Sequence, residues 1–291
     1  MPRESRPPSP PRDEDPEPWS VEDFEAVAAV LRARRGAPLP PHRLNLLKAR
    51  LRARLVARGI KSFTAFRDRK IRNQPDGSGM QLLIDLTTVN HTTFFREQPQ
   101  LLALAAYLAD RQRSAAAGKV RVWSAGCSAG QEPYSLAMTL AELVPDLAAR
   151  GPEILATDVS LEMVRGAARG IYAARDMADV SRDRLRRFFL RGRGPRHGAF
   201  RVAPEIRQLV TFQHIDLRSQ AWPIAGTFDA ILCRNVALYF EEAERIELVD
   251  RLAGRLKEGG WLVVGNCEIF PDRPGLLRKH APSTYRRVTP P

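Results

Sequence analysis

The chain has 291 residues, 44% of them hydrophobic, and a formal charge of +13. That length predicts one large domain or two smaller ones with ample core. No apolar run approaches the roughly 20 residues that a membrane helix needs, and Cys127, Cys233 and Cys267 include no C-x-x-C pair that would suggest a metal site or a secreted disulfide framework.

Residues 1–18 are mostly Pro, Arg, Asp, Glu and Ser. Without an apolar stretch they read as a disordered tail, not a signal peptide. Residues 19–88 read as a helical domain. Ser20 is the expected N-cap of a helix over 21–34, with Asp23 at the capping-box position, and Gly36 and Pro38 end it. A second helix is expected over 43–58, closed by Gly59. Leu44, Leu47, Leu51 and Leu55 share one stripe of it, and Arg50, Arg54 and Arg58 form a second stripe beside them. Short helices follow around 63–71 and 79–86. Over residues 26–67 there are eleven Lys and Arg and no acid, while the rest of the chain is nearly balanced. So local a basic run points to an acidic partner more than to general solubility.

Residues 89–291 read as a larger α/β domain. A Thr-rich connection at 90–96 leads to an apolar helix over 100–111. Strands are then expected at 120–123, 153–157, 209–214, 229–233 and 261–265. Helices around 132–143, 160–169 and 241–256 lie between several of them, which predicts a parallel sheet covered on both faces. Gly259-Gly260 reads as a tight turn into the last strand. Between Tyr172 and Val210 the alternation stops. A turn-rich stretch at 191–198 and an extended 199–202 predict a small β insertion at about 176–208.

The most informative stretch is W-S-A-G-C-S-A-G-Q-E-P-Y-S at 123–135. It reads as a strand, a loop of small residues, and a helix with Pro133 in its first turn. The next strand ends in Asp158, an acid suited to two ribose hydroxyls. Gly126 and Gly130 are expected to let the backbone approach a ligand. The spacing is not G-x-G-x-x-G, and no phosphate loop is present. The expected ligand is therefore a nucleoside without a pyrophosphate, of which S-adenosylmethionine (SAM) is the commonest.

Four motifs then fall in order: N-H-T-T-F-F-R at 90–96, the loop at 123–135, A-T-D at 156–158, and F-D-A-I-L-C-R-N-V-A-L-Y-F at 228–240. Together they resemble the CheR-type chemotaxis receptor methyltransferases, over about residues 20–288. The resemblance implies a Rossmann-like SAM-dependent methyltransferase domain, an N-terminal all-helical domain and a small inserted β-subdomain. It implies cytoplasmic methylation of glutamate side chains on receptor helices, with S-adenosylhomocysteine as the product.

Methyl transfer to a glutamate needs no general base, because the carboxylate is already ionised at pH 7. The resemblance places Arg96 where its planar guanidinium would orient the acceptor carboxylate, and makes Tyr239 a candidate for contact near the transferred methyl. It assigns the cofactor to Asn90, Thr92, Arg96, Glu132, Asp158, Asp216, Leu217, Arg234 and Asn235. Glu132 would hold the cofactor amino group or support the loop. Asp216 stands where the family has Asn, and would accept a hydrogen bond from the adenine amino group. Two other departures are Gln131, where the family often has Glu, and G-N-C-E at 265–268, where it often has G-H-S-E. Arg50, Arg54 and Arg58 would register a glutamate-bearing receptor helix, and the β insertion resembles a subdomain that grips a receptor's C-terminal peptide in some members. A nucleic-acid methyltransferase is disfavoured: no N/D-P-P-Y/F motif is present and none of the cysteines follows a proline. A SAM-binding regulator without transfer activity is the alternative.

Overall fold

The structure, a computed structural model, describes residues 77–88, 91–113, 119–144, 151–268, 270 and 273–288, with residues 25, 29, 53, 55, 59 and 66; of residues 86, 87 and 239 only the backbone is described. The chain forms two compact units, 1–87 and 88–291. In the first, Leu55 is helical and fully buried, as its place on the leucine stripe predicts, and Gly59 lies in a turn. Helix α1 (Ser78–Thr87) buries Leu83 and Ile84. The expected cap at Ser20, the leucines at 44, 47 and 51, and Arg50, Arg54 and Arg58 lie outside the described residues.

In the second unit α2 (Gln98–Arg113) precedes β1 (Arg121–Ala125), α3 (Gln131–Leu143), β2 (Glu153–Asp158) and α4 (Leu161–Arg169). Then come β3 (Ile171–Ala173), α5 (Arg182–Phe188), β4 (Phe189–Arg191), β5 (Ala199–Val202) and α6 (Pro204–Arg207). The chain closes with β6 (Val210–His214), β7 (Phe228–Cys233), α7 (Glu242–Gly254), β8 (Leu256–Val264), β9 (Leu277–Ala281) and β10 (Thr284–Arg287).

Seven strands form one sheet in the order β6-β2-β1-β7-β8-β10-β9. The first five are mutually parallel, and β10 runs antiparallel to both β8 and β9. The expected all-parallel sheet is therefore corrected to a mixed one, with a C-terminal hairpin returning between β8 and the edge. Alternate residues of each strand feed two separate cores. Val122, Ala230, Leu232 and Val263 pack under α2 and α3, whereas Trp123, Ile231, Cys233 and Leu262 pack with α7. That period of two is what a sheet covered on both faces requires.

The Gly259-Gly260 turn is also corrected. It lies inside β8, where the pairing jumps from Phe228↔Leu256 to Ala230↔Trp261. Trp261, just beyond this bulge, stacks on Tyr107 of α2 at 4.2 Å, and the Tyr107 hydroxyl donates to Gly259 O at 3.1 Å. The bulge is thus the seat of α2.

The second sheet is small and antiparallel, in the order β3-β5-β4. Its first strand starts at Ile171, ahead of the expected start of the insertion. Tyr172 and Phe189 point from it into the core that α2 and α3 cover.

Candidate functional site

The chain leaves β1, builds outward through β2 to β6, and returns to β7 on the other side of β1. Crevices at such a reversal, outside the carboxyl ends of the strands, are where open α/β sheets bind ligands. Each expected residue that is described can be located against this point.

The loop after β1 is tied to β2 by backbone: Gly126 N and Cys127 N both donate to Thr157 O at 2.8 Å. Trp123 Nε1 donates to Thr157 Oγ1 at 2.9 Å in the buried layer below. Asp158, at the end of β2 and 7% exposed, accepts Ser128 N on one oxygen and Ser160 N on the other, both at 2.8 Å. These two amide donors fix the orientation of the carboxylate. It does not cap α4; Ser160 does, accepting Met163 N at 3.2 Å.

A side chain on either glycine of this loop would meet protein. Gly126 has φ +87°, and a Cβ there would meet Val236, the third residue after β7. A Cβ on Gly130 would meet Ala167 of α4. Cys127 is buried, and burial first, then Asp158 and Glu132, push its thiol well above the ordinary range. It is a neutral packing group, not a nucleophile.

The segment before α2 is folded tightly against the same crevice. Thr92 is half-buried, Phe94 and Phe95 are buried, and Asn90 lies outside the described residues. Phe94 meets Tyr172 and Phe189 of the small sheet edge-on, at 4.9 and 5.4 Å between centroids. Phe95 N donates to Ser135 Oγ at 2.9 Å, and the Arg184 guanidinium lies 4.0 Å from the Phe95 ring. Arg184 is itself held by Glu142 of α3 through two bonds of 2.8 Å. Phe95 and Glu97 both have left-handed backbones, φ 55° and 53°. Such conformations cost non-glycine residues on the order of 1–3 kcal/mol each and persist only where the surroundings enforce them. Arg96 sits between them, half-buried, its only side-chain hydrogen bond among the described residues a 3.4 Å contact to His91 O.

Arg234 follows β7, and its side chain is 3% exposed. Nη2 donates to Glu97 Oε2 at 2.8 Å and to Arg96 O at 3.0 Å; Nη1 donates to Glu132 Oε2 at 3.1 Å. Burial alone would lower its pKa, but Glu132 and Glu97 outweigh that and raise it. The other Glu132 oxygen accepts Ser124 Oγ at 2.7 Å. Of the two roles expected for Glu132, its partners here fit support of the loop. Arg96, Glu132 and Arg234 are thereby joined in one cluster.

Asn235 has φ 60°, and its N–H donates to Glu268 Oε2 at 2.6 Å. Gly265 N reaches the same oxygen at 2.7 Å, and Ala237 N reaches Oε1 at 2.8 Å. Glu268, 6% exposed, therefore ties the loops after β7 and β8 together through three amides. Sequence reasoning noted the acid only as the end of G-N-C-E and gave it no role; the signal available was that the acid remains while the two residues before it change. Tyr239 ends a short 3₁₀ turn, Ala237–Tyr239, and its side chain lies outside the described residues. On the other flank Ile215 N donates to Asp158 O at 3.1 Å, which sets Asp216 and the buried Leu217 beside the end of β2. Asp216 Oδ1 accepts Arg218 N at 2.9 Å in a local turn.

Two buried polar atoms beside this crevice, Gln131 Oε1 and Arg234 Nε, lack a hydrogen-bond partner among the described residues. With a strand-terminal carboxylate and no phosphate-binding turn, this donor and acceptor set fits an adenosyl amino acid. No group of His, Cys, Asp or Glu suited to a metal occurs among the described residues, and no helix there is long and apolar enough to cross a membrane.

Comparison with known proteins agrees with this geometry. Residues 90–285 match the family model "CheR methyltransferase, SAM binding domain", and residues 22–87 match "CheR methyltransferase, all-alpha domain". The chain is 35% identical to the chemotaxis protein methyltransferase of Escherichia coli (strain K12) over 247 residues, 85% of this chain and 84% of that protein. It is 35% identical to chemotaxis protein methyltransferase 2 of Pseudomonas aeruginosa over 272 residues, 92% of this chain and 93% of that one.

Proposed function

The chain belongs to the CheR methyltransferase family, and on that premise we propose that it methylates glutamate side chains of chemoreceptor helices in the cytoplasm, as the adaptation enzyme of a chemotaxis pathway. It is a SAM-dependent methyltransferase. When bound, SAM supplies an electrophilic methyl on a sulfonium sulfur and leaves as S-adenosylhomocysteine. The new C–O bond takes its electron pair from the glutamate carboxylate, and the broken C–S bond returns its pair to sulfur. One anion and one cation are consumed, so no proton needs to move.

The work of the protein is then alignment and exclusion of water, which is worth roughly 7–11 kcal/mol when a reacting pair is well oriented. Asp158 accepts the ribose hydroxyls, Asp216 and Leu217 bound the adenine, and Asn90, Thr92, Arg234 and Asn235 enclose the rest of the cofactor. Glu132 supports that wall. Arg96 orients the acceptor carboxylate, and Tyr239 borders the transferred methyl. The observation that carries this reading is that the turn carrying Arg96, flanked by two left-handed residues, is bonded through Arg96 O to Arg234 beyond β7, while Asp158 stands at the end of the parallel strand β2.

Recognition of the receptor falls to two surfaces. The Arg50, Arg54 and Arg58 stripe registers the glutamate-bearing helix. The small sheet takes an extended receptor C-terminal peptide: both its edge strands carry an exposed apolar residue, Ile171 on β3 and Leu190 on β4.

Incubation with methyl-labelled SAM and chemoreceptor cytoplasmic fragments from the same genome tests the proposal. Base-labile label on receptor glutamates is the expected result. Tight SAM binding without transfer to any of these fragments would overturn it.

A further inference from the structure

We infer that Tyr172, on β3 of the inserted sheet, is a positioning residue for the methyl transfer: its hydroxyl sets the loop after β1, and its ring sets the turn that carries Arg96. The inference rests on the reading of that loop as the seat of the donor and of Arg96 as the residue that orients the acceptor.

Two stretches of backbone hold non-glycine residues in left-handed conformations here. One is the loop, with Ser128 at φ 50°; the other is the turn, with Phe95 and Glu97 at φ 55° and 53°. Such residues stay there only where the surroundings enforce it. Tyr172 touches a neighbour in each stretch. Its hydroxyl donates to Ala129 O at 2.8 Å, one residue after Ser128. Its ring meets Phe94 edge-on at 4.9 Å, one residue before Phe95. The hydroxyl lies close against the loop, since a Cβ on Gly130 would come within 3.1 Å of it.

Ala129 O and Gly130 N belong to one peptide plane, and Gly130 N donates to Cys127 O at 3.0 Å. That plane is therefore pinned from within the loop by Cys127 and from outside it by Tyr172. The preceding residue is Ser128, whose amide holds Asp158. Tyr172 is itself firmly seated. It is buried, it pairs with Phe200 of β5, and its ring also lies edge-on to Tyr134. Burial first, then Tyr134, Cys127 and Asp176, hold its phenol well above the ordinary range, so the hydroxyl keeps the proton it donates.

The two contacts can be removed in turn. Tyr172→Phe keeps the ring and loses the bond to Ala129, so the Kd for S-adenosylhomocysteine should rise about 3- to 10-fold, the worth of one such bond. Tyr172→Leu loses the ring as well, and the Arg96 turn loses an edge contact. Misplacement of about 1 Å can cost about 100-fold in rate, so kcat at saturating SAM should fall about tenfold or more below that of Tyr172→Phe.

The readouts are calorimetric binding of S-adenosylhomocysteine, methyl transfer to a receptor cytoplasmic fragment, and urea unfolding. A residue that only packs would lower the urea midpoint and leave the Kd and kcat of the folded protein alone. The parent Kd in Tyr172→Phe would therefore overturn the inference, and so would equal kcat in the two variants. Should Tyr172→Leu not fold, Phe94→Leu takes its place. It removes the ring that Tyr172 meets and keeps the hydroxyl bond, and the parent kcat there would overturn the inference. If Arg96→Ala keeps the parent kcat, the reading of Arg96 falls and the inference with it. If Arg96→Ala is slow and either expected change is missing, only the inference falls.

Discussion

Val236 stands where a side chain on Gly126 would be: a Cβ there would lie 2.3 Å from Val236 Cγ2. The loop after β1 and the loop after β7 are thus closed on each other at the point where the sheet reverses its order. Gly126 also has φ +87°, so any L side chain adds backbone strain to the clash. Gly126→Ala should raise the Kd for S-adenosylhomocysteine at least about tenfold, since a shift of about 1.4 kcal/mol suffices. Adding Val236→Ala should recover part of that loss and not all of it, because the positive φ remains. Calorimetric titration of the single and double variants checks both statements.

Glu268 gives a second prediction. A buried carboxylate that accepts three amides has no equal in an amide side chain, whose NH₂ must face at least one N–H. One buried donor left unpaired costs about 1–3 kcal/mol. Glu268→Gln should lose about that much in urea unfolding followed by tryptophan fluorescence, and should weaken cofactor binding because Asn235 loses its anchor. Unaltered cofactor affinity would show that the anchor is not needed for binding.

The sequence reading and the structure part company at places with a common cause. The centre of the parallel sheet was legible because its apolar runs are strong and continuous, as in Ala230-Ile231-Leu232-Cys233. The β9–β10 hairpin was not, because only one residue of β9, Leu277, is buried, so it carries almost no alternation. The role of Glu268 was invisible because its partners Asn235 and Ala237 lie more than thirty positions away, and a lone Glu near a strand end usually faces water. The motif glycines were legible as special, but nothing local in the sequence shows that a side chain there would meet Val236 or Ala167. The loop at 123–135 and Asp158 were legible as a strand, a run of small residues, a helix and an acid ending the next strand, and the structure joins them through Ser128 N. The salt link from Arg234 to Glu97 and Glu132 was not, because charge pairing across 137 and 102 residues leaves no local pattern.

Acid should find Asp229. Its side chain is 1% exposed and pairs with Lys257 at 2.7 Å and Arg111 at 2.9 Å, and it accepts Arg121 N at 2.9 Å. Burial would raise its pKa, but the Arg121 amide, Lys257 and Arg111 outweigh burial and hold it below the usual range. A depressed carboxyl stabilises the fold above its unfolded value of about 3.9, and that contribution is lost as pH falls through the folded value. Asp229→Asn should cost about 2–3 kcal/mol at pH 7. That is less than the 3–5 of a wholly buried pair, since Lys257 and Arg111 are each about a third exposed. The gap between parent and variant in urea unfolding should stay constant down to about pH 5 and shrink below about pH 4. A gap that widens on acidification would contradict the assignment.

The proposed role of Arg50, Arg54 and Arg58 makes a separable claim. Arg50→Glu, Arg54→Glu and Arg58→Glu together should raise the KM for a receptor fragment at least about tenfold and make it less sensitive to salt, as expected when steering charges are reversed. Binding of S-adenosylhomocysteine should be unaffected. Receptor methylation at the parent rate by the triple variant would remove this surface from the recognition scheme.

The contacts of Phe94 bear on how members of this family could exchange parts. Because that ring is clasped by Tyr172 and Phe189, the inserted sheet is a buttress of the Arg96 turn. A chimaera that grafts another member's insertion to redirect its partner must therefore carry over the inward aromatics at 172 and 189. One built by matching only the outer face would leave Phe94 without its clasp and blunt its own chemistry.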